Sequence, residues 1–214
     1  FFYPLDGLAT HLPKEVRHQP MVNIGLGVGS LACLFHTGAP TTFIEVDPLV
    51  AELAQNPEYF TYLQDCPGTN TVILGDGRQQ LEKLPDGFGM VVLDAFSGSA
   101  IPTHLMTREA MAMYLDKLSQ NGVLLINLNN HHLDLRPVVA ALNESLNLHT
   151  LISYGDDKRK SYWAVMARDP AHLGRLFKHP QWHPLRTPAL DRPWTDDYTP
   201  LLPLIRLEKP HKEG

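Results

Sequence analysis

The sequence predicts an α/β protein built on a doubly wound, mostly parallel sheet, and three observations predict it. The first is Val22-Asn23-Ile24-Gly25-Leu26-Gly27-Val28-Gly29-Ser30, an apolar strand that runs into glycines at alternate positions and then into a helix-compatible run. A strand-to-helix turn with so few Cβ atoms lets a ligand lie against bare backbone. The second is a recurrence of short apolar runs at 21–25, 41–45, 71–74, 89–93 and 122–128, separated by stretches able to form helices. Such runs are expected of parallel strands covered on both faces. The third lies beyond Leu148, where His149 to Tyr154 and Ser161 to Ala167 read as strands joined by the short Gly155–Lys160 connection. A connection that short implies an antiparallel pair.

Taken in order, residues 1–20 hold Pro4, Pro13 and Pro20 without a clear period and read as an irregular lead-in. Residues 21–205 form the sheet domain, with Cys33 in a buried helix after the glycine turn. In the helix over 107–119, Met111, Tyr114, Leu115 and Leu118 make one apolar stripe, with Thr107 as cap and Asn121-Gly122 as exit. A helix from about Leu135 to Leu146 follows Asp134 as N-cap, and Pro137 falls in its tolerant first turn. Residues 168 onward are proline-rich, and 206–214 read as a disordered tail. Five parallel strands closed by an antiparallel hairpin is the seven-stranded plan of the class I methyltransferase type. A dinucleotide-binding domain would continue with a sixth parallel strand.

The chemistry-bearing residues gather at the strands' carboxyl ends, where open α/β sheets keep their ligand crevice. Glu45 ends the second strand, 20 residues after Gly25. It is either an ordinary strand-end carboxylate or an acceptor for both hydroxyls of a ribose. Glycines at the first, third and fifth positions (Gly25, Gly27, Gly29), with Ser30 sixth, depart from the dinucleotide spacing and suit a phosphate-free nucleoside such as S-adenosylmethionine. Asp76-Gly77 follows the third strand. It is either a turn-former or a contact to adenine, with Gly77 leaving room for the ring. Asp94 ends the fully apolar Met90-Val91-Val92-Leu93, and the small-residue loop Ala95–Pro102 after it can close over a substrate. A sulfonium donor carries its own leaving group, so the protein need only align a nucleophile and take its proton. Asp94 can hold an attacking amine, accept its proton or bind the donor's ammonium.

Composition narrows the classes. The 214 residues are 43% hydrophobic, enough for a sizeable core, and the net charge of -5 offers no general attraction to nucleic acid or anionic lipid. No run is long enough to span a membrane. Cys33 and Cys66 make no disulfide framework, and a reducing, cytoplasmic setting is the simpler expectation. The first residue is Phe1 rather than Met, compatible with a fragment or a processed product. His131-His132 lack further ligands at metal spacing, so no metal site is expected. Lys158-Arg159-Lys160 reads as a solvated loop tip. No Gly-x-Ser-x-Gly elbow or phosphate-loop lysine occurs, which argues against a hydrolase or triphosphatase.

These motifs together resemble the spermidine synthase-like proteins. The residues that carry the likeness are the glycine turn, Ile44-Glu45-Val46-Asp47-Pro48, Leu74-Gly75-Asp76-Gly77 and Leu93-Asp94-Ala95-Phe96-Ser97. Ile101-Pro102-Thr103-His104-Leu105-Met106-Thr107-Arg108-Glu109 and Trp194-Thr195-Asp196-Asp197-Tyr198 are similar to the branch fused behind membrane segments in bacteria, which implies a membrane-tethered longer parent. The resemblance covers roughly residues 21–205. It implies that Glu45 binds the donor ribose and Asp76 the adenine, and that Asp94 matches the catalytic carboxylate. It implies as cofactor S-adenosylmethionine or its decarboxylated form, and as partner a small amine. The departures matter as much. Val28 stands where spermidine synthases carry an Asp in the glycine turn, Ser97 stands where they carry a second Asp, and their N-terminal β-hairpin domain is absent. Two unit charges about 4 Å apart near a protein surface interact by about 4 kcal/mol. A turn Asp would attract the ammonium of the decarboxylated donor and repel the carboxylate of the intact one, so Val28 tilts the expectation toward intact donor and methyl transfer. Aminopropyl transfer and a non-catalytic nucleoside sensor are the alternatives. Asp196-Asp197-Tyr198 either reaches the site's rim or forms a surface turn.

Overall fold

The computed structural model describes residues 5–35, 37–95, 102–130, 132–154 and 162–206. Helices α1 (Asp6–His11) and α2 (Lys14–Arg17) precede strand β1 (Met21–Ile24). Then come β2 (Thr41–Glu45), α3 (Pro48–Gln55), α4 (Tyr62–Asp65), β3 (Asn70–Leu74), α5 (Gly77–Lys83), β4 (Phe88–Leu93), α6 (Arg108–Lys117), β5 (Leu118–Asn127) and α7 (Arg136–Ser145). The chain continues through β6 (His149–Tyr154), β7 (Tyr162–Ala167) and β8 (Trp182–Pro184). The strands lie in the order β3-β2-β1-β4-β5-β7-β6-β8. β1 to β5 are parallel, and β7 inserts antiparallel between β5 and β6. The doubly wound plan with a terminal antiparallel hairpin is therefore present.

Four expectations are corrected. The sheet has eight strands rather than seven, because β8 adds antiparallel to β6. Three residues are too few to show a period, and this strand exists because its pairing buries Trp182 at 2% exposure. The lead-in is helical from Asp6 to Arg17: Leu5, Leu8, Leu12 and Val16 recur at helical spacing and are all buried against one face of the sheet, with Pro13 dividing α1 from α2. The run after the glycine turn forms only a 3-10 turn, Ser30–Cys33, not a full helix. That turn brings Cys33 beside the end of α4, with Cα atoms of Cys33 and Cys66 5.0 Å apart, and the two are disulfide-bonded rather than free. The bond closes a sequence separation of 33 residues, and loop-closure entropy assigns such a cross-link about 4 kcal/mol. Cys66→Ser, or reduction of the wild type, is expected to lower stability by about that amount. Denaturant melts with and without reductant check it, and equal midpoints would refute it.

Smaller differences have local causes. α6 ends at Lys117, and β5 begins at once, so Asn121-Gly122 lies in the strand rather than at a helix exit. Gly122 is needed there because a Cβ would meet the Phe88 carbonyl at 2.7 Å, beside the register shift between β4 and β5. Thr107 caps α6 as expected, its Oγ1 accepting from Ala110 N at 3.2 Å. The N-cap of α7 is Leu135 rather than Asp134, which stands one residue earlier and still accepts from Arg136 N through its Oδ1. β3 is an edge strand, partly exposed rather than covered on both faces. Arg206, expected in a disordered tail, donates from its N–H to His132 O at 2.8 Å. The Phe96–Ile101 part of the small-residue loop, the Lys158-Arg159-Lys160 tip and residues 207–214 lie outside the described residues. No helix among the described residues is long and apolar enough to cross a membrane.

The two faces of the sheet are covered differently. Val22, Ile24, Val91, Leu93, Leu124 and Ile126 meet α5, α6, α7 and the C-terminal Trp194 and Leu204. Met21, Phe43, Met90, Val92, Val123 and Leu125 meet α1, α2, α3 and the 170–178 turns. The carboxyl ends of β1, β2 and β4 are left uncovered between these layers, and that is where the polar residues collect.

Candidate active site

Three backbone bonds extend the parallel ladder into the loops and hold the strand ends in register. Gly25 N donates to Ile44 O (2.8 Å), Asp94 N to Ile24 O (2.9 Å) and Gly75 N to Glu45 O (2.8 Å). They bring the glycine turn, Glu45, Asp76 and Asp94 to one edge of the sheet. Beside them opens a cleft of about 250 Å³ lined by Ile24, Gly25, Ile44, Val46, Gly75, Asp76, Gly77, Ala95, Pro102, His104 and Leu105.

Each expected site residue has a definite place. Gly25 has φ +102°, and a Cβ there would sit 2.3 Å from the Asp94 carbonyl oxygen, so the turn and the end of β4 touch backbone to backbone. Gly27 is open on its Cβ side, and Gly29 packs against Leu63 of α4; neither lines the cleft. Glu45 is buried and points into the glycine turn: its Oε2 accepts from Leu26 N at 3.0 Å and its Oε1 from Asp47 N at 2.9 Å. Its neighbours Ile44 and Val46 line the cleft, while Glu45 itself does not. Asp76 lines it and also caps α5, its Oδ1 accepting from Gln79 N at 2.9 Å. Gly77 lines it too, but the space of its missing Cβ is filled by Ile24 Cγ2 at 2.2 Å. What Gly77 admits is the close packing of α5 on β1, not the ring expected from the sequence.

Asp94 is the most strongly perturbed acid near the cleft. Burial pushes its carboxyl up to about 6, against the lowering effect of the hydrogen bond from Asn127. Asn127 Nδ2 donates to Asp94 Oδ1 at 2.6 Å, and its orientation is set from behind. Its Oδ1 accepts from both Asn129 N (2.9 Å) and Asn129 Nδ2 (2.6 Å), so the amide nitrogen must face Asp94. A carboxyl poised near neutrality can take a proton and release it again.

Three participants were not picked out by sequence reasoning. Asn127 is the polar end of the apolar β5, the same strand-end rule that singled out Asp94. His104 Nε2 lies 2.9 Å from Asp76 Oδ2. Burial pushes the Asp76 carboxyl up, but the bonds from Gln79 N and His104 outweigh it and hold it below the ordinary carboxylate range. Arg78, the second residue of α5, pairs through both terminal nitrogens with Asp196 at 2.7 and 2.8 Å. Asp196-Asp197 forms an exposed turn closed by the bridge between Thr195 and Tyr198, the surface-turn alternative, and from it Asp196 reaches Arg78 without lining the cleft.

The fold is a class I methyltransferase-type α/β domain, with its polar residues at the crevice end of the sheet. No family model matches the chain. Among curated proteins it is similar to a polyamine aminopropyltransferase of Vibrio vulnificus, 36% identical over 122 residues, which is 54% of this chain and 38% of that protein. It is also similar to an N-terminal histidine N-methyltransferase of Emericella nidulans, 34% identical over 122 residues, 54% of this chain and 21% of that protein. The chain thus spans well under half the length of these relatives. Among solved structures, a probable spermidine synthase from Corynebacterium glutamicum superposes with a TM-score of 0.63 at 17% identity, over 94% of this chain and 83% of that one. Human methyltransferase-like protein 13, in complex with S-adenosylhomocysteine, superposes with a TM-score of 0.59 at 19% identity, over 91% and 94%.

Proposed function

We propose that this chain is a transferase that alkylates an amine from an S-adenosyl sulfonium donor, with methyl transfer from intact S-adenosylmethionine as the preferred reaction. The observation that carries the reading is the joint geometry of two carboxylates. Glu45 is aimed into the glycine turn, the Asp94 backbone carbonyl abuts Gly25, and the Asp94 carboxylate is held at that strand end by Asn127. A nucleoside against the turn then has one carboxylate for its ribose and another near its sulfur. Each Glu45 oxygen spends one lone pair on a backbone N–H and keeps a second for a ribose hydroxyl. Asp76 and the apolar walls Ile24, Pro102 and Leu105 suit the adenine end. The amine's lone pair attacks the carbon bound to the positive sulfur. The carbon–sulfur bond breaks with its electrons left on a neutral thioether, and the proton freed from the amine passes to Asp94.

The preference for intact donor rests on Val28, which is 37% exposed at the tip of the turn and brings no charge there. The names of the relatives favour aminopropyl transfer from the decarboxylated donor as the second reading. Calorimetric titration with the two donors separates them: intact donor is expected to bind at least as tightly as decarboxylated, and Val28→Asp to reverse the order by about tenfold. Tighter binding of the decarboxylated form by the wild type would establish the second reading. Binding of neither would end both.

A further inference from the structure

The C-terminal segment is tied to the cleft by a chain of contacts. Trp194 is fully buried, and its carbonyl accepts from Arg108 N at 2.8 Å. Asp196 N donates to Glu109 Oε2 at 3.1 Å, and Asp196 Oδ1 accepts from Thr107 Oγ1 at 2.7 Å. The segment is therefore fastened to the start of α6. From there the Asp196 carboxylate takes the two-pronged contact from Arg78, and Arg78 also donates to the His104 carbonyl at 3.3 Å. Arg78 sits in the first turn of α5, one residue after Gly77. His104 sits in the turn opposite, its ring on Asp76. One arginine thus spans the two walls of the cleft, and Asp196 holds that arginine.

We propose that Asp196 is a positioning residue for the nucleoside cleft. Through Arg78 it holds the α5 wall (Asp76, Gly77) against the 103–105 wall (His104, Leu105), and so sets the affinity for the adenine end of the donor. The proposal rests on the nucleoside reading above. The pair is partly exposed, 26% for Arg78 and 43% for Asp196, so screening limits its Coulomb attraction. Its contribution is geometric: a planar fork matched to a carboxylate fixes direction as well as distance.

The test uses two adenosine thioethers, S-adenosylhomocysteine and 5′-methylthioadenosine, which share the adenosine and differ in the tail on sulfur. Asp196→Asn is expected to weaken both by the same factor, about fivefold, with the loss in turnover falling on donor KM rather than kcat. Arg78→Lys, which keeps the charge and loses the fork, gives a similar loss, and the double variant is no worse than either single one. Asp197→Asn serves as the neighbouring control and leaves both affinities unchanged. Wild-type affinity in Asp196→Asn, a loss confined to one thioether, or additive losses in the double variant would each overturn the proposal. If the wild type binds neither thioether, the nucleoside reading fails first and takes the proposal with it.

Discussion

Asp94→Asn is expected to cut turnover by about 10²–10⁴-fold while leaving donor affinity within a few-fold of wild type. The expectation follows from where Asp94 stands: at the carboxyl end of β4, nearly buried, backed by Asn127 and touching the glycine turn. The wild-type rate should rise with pH through about 6 as the carboxylate forms, and the variant should lose that limb. Stability runs the other way. The folded carboxyl titrates at about 6 against 3.8 ordinarily, so the fold favours the protonated form. That stabilisation is fully present below about pH 4 and is lost as pH rises through 6, a total of about 3 kcal/mol. The stability of Asp94→Asn relative to wild type should therefore grow by about that amount between pH 4 and pH 8, read from denaturant midpoints. Full activity in the variant would remove Asp94 from the chemistry, whereas donor binding without turnover in the wild type would leave the non-catalytic sensor as the reading.

Gly25→Ala should be the most damaging change in the turn. Its φ of +102° is costly for any residue with a Cβ, and the new methyl would stand 2.3 Å from the Asp94 carbonyl oxygen. Neither β1 nor β4 can retreat without breaking the Asp94 N to Ile24 O bond. A loss of about 2–4 kcal/mol is expected, with Tm lower by about 5–15 °C and donor binding abolished. Gly27→Ala isolates the backbone contribution, since φ is +54° there and nothing lies within 4 Å of the Cβ. It should cost only about 1 kcal/mol. Equal melting temperatures for the two variants would show that the contact with Asp94 carries no energy.

The parallel core was legible because each strand is a local pattern. β1, β2 and the antiparallel pair β6–β7 fall within a residue of where their apolar runs predict them. The α6 stripe of Met111, Tyr114 and Leu115 is buried as its spacing requires. The period of Leu5, Leu8, Leu12 and Val16 is divided at Pro13 into helices of six and four residues, too short to stand as a local pattern without the sheet face that buries them. Gly25, Glu45, Asp76 and Asp94 stand at or just beyond strand ends, as the apolar runs before them require, and their roles toward a donor belong to the proposed function. Asn127 obeys the same rule and was overlooked.

By itself the sequence determined the order of elements, the glycine turn and the acids at the strand ends, since each depends on neighbours within a few residues. The tertiary structure alone decided the eighth strand, the Cys33–Cys66 bond, the burial that perturbs Asp94 and the Asp196–Arg78–His104 connection. Each of these joins groups far apart along the chain. Arg78 and Asp196 are 118 residues apart, and only packing of the intervening sheet and helices brings a carboxylate to that arginine. No local pattern encodes such a meeting, because its energy arises only after the chain has folded around it.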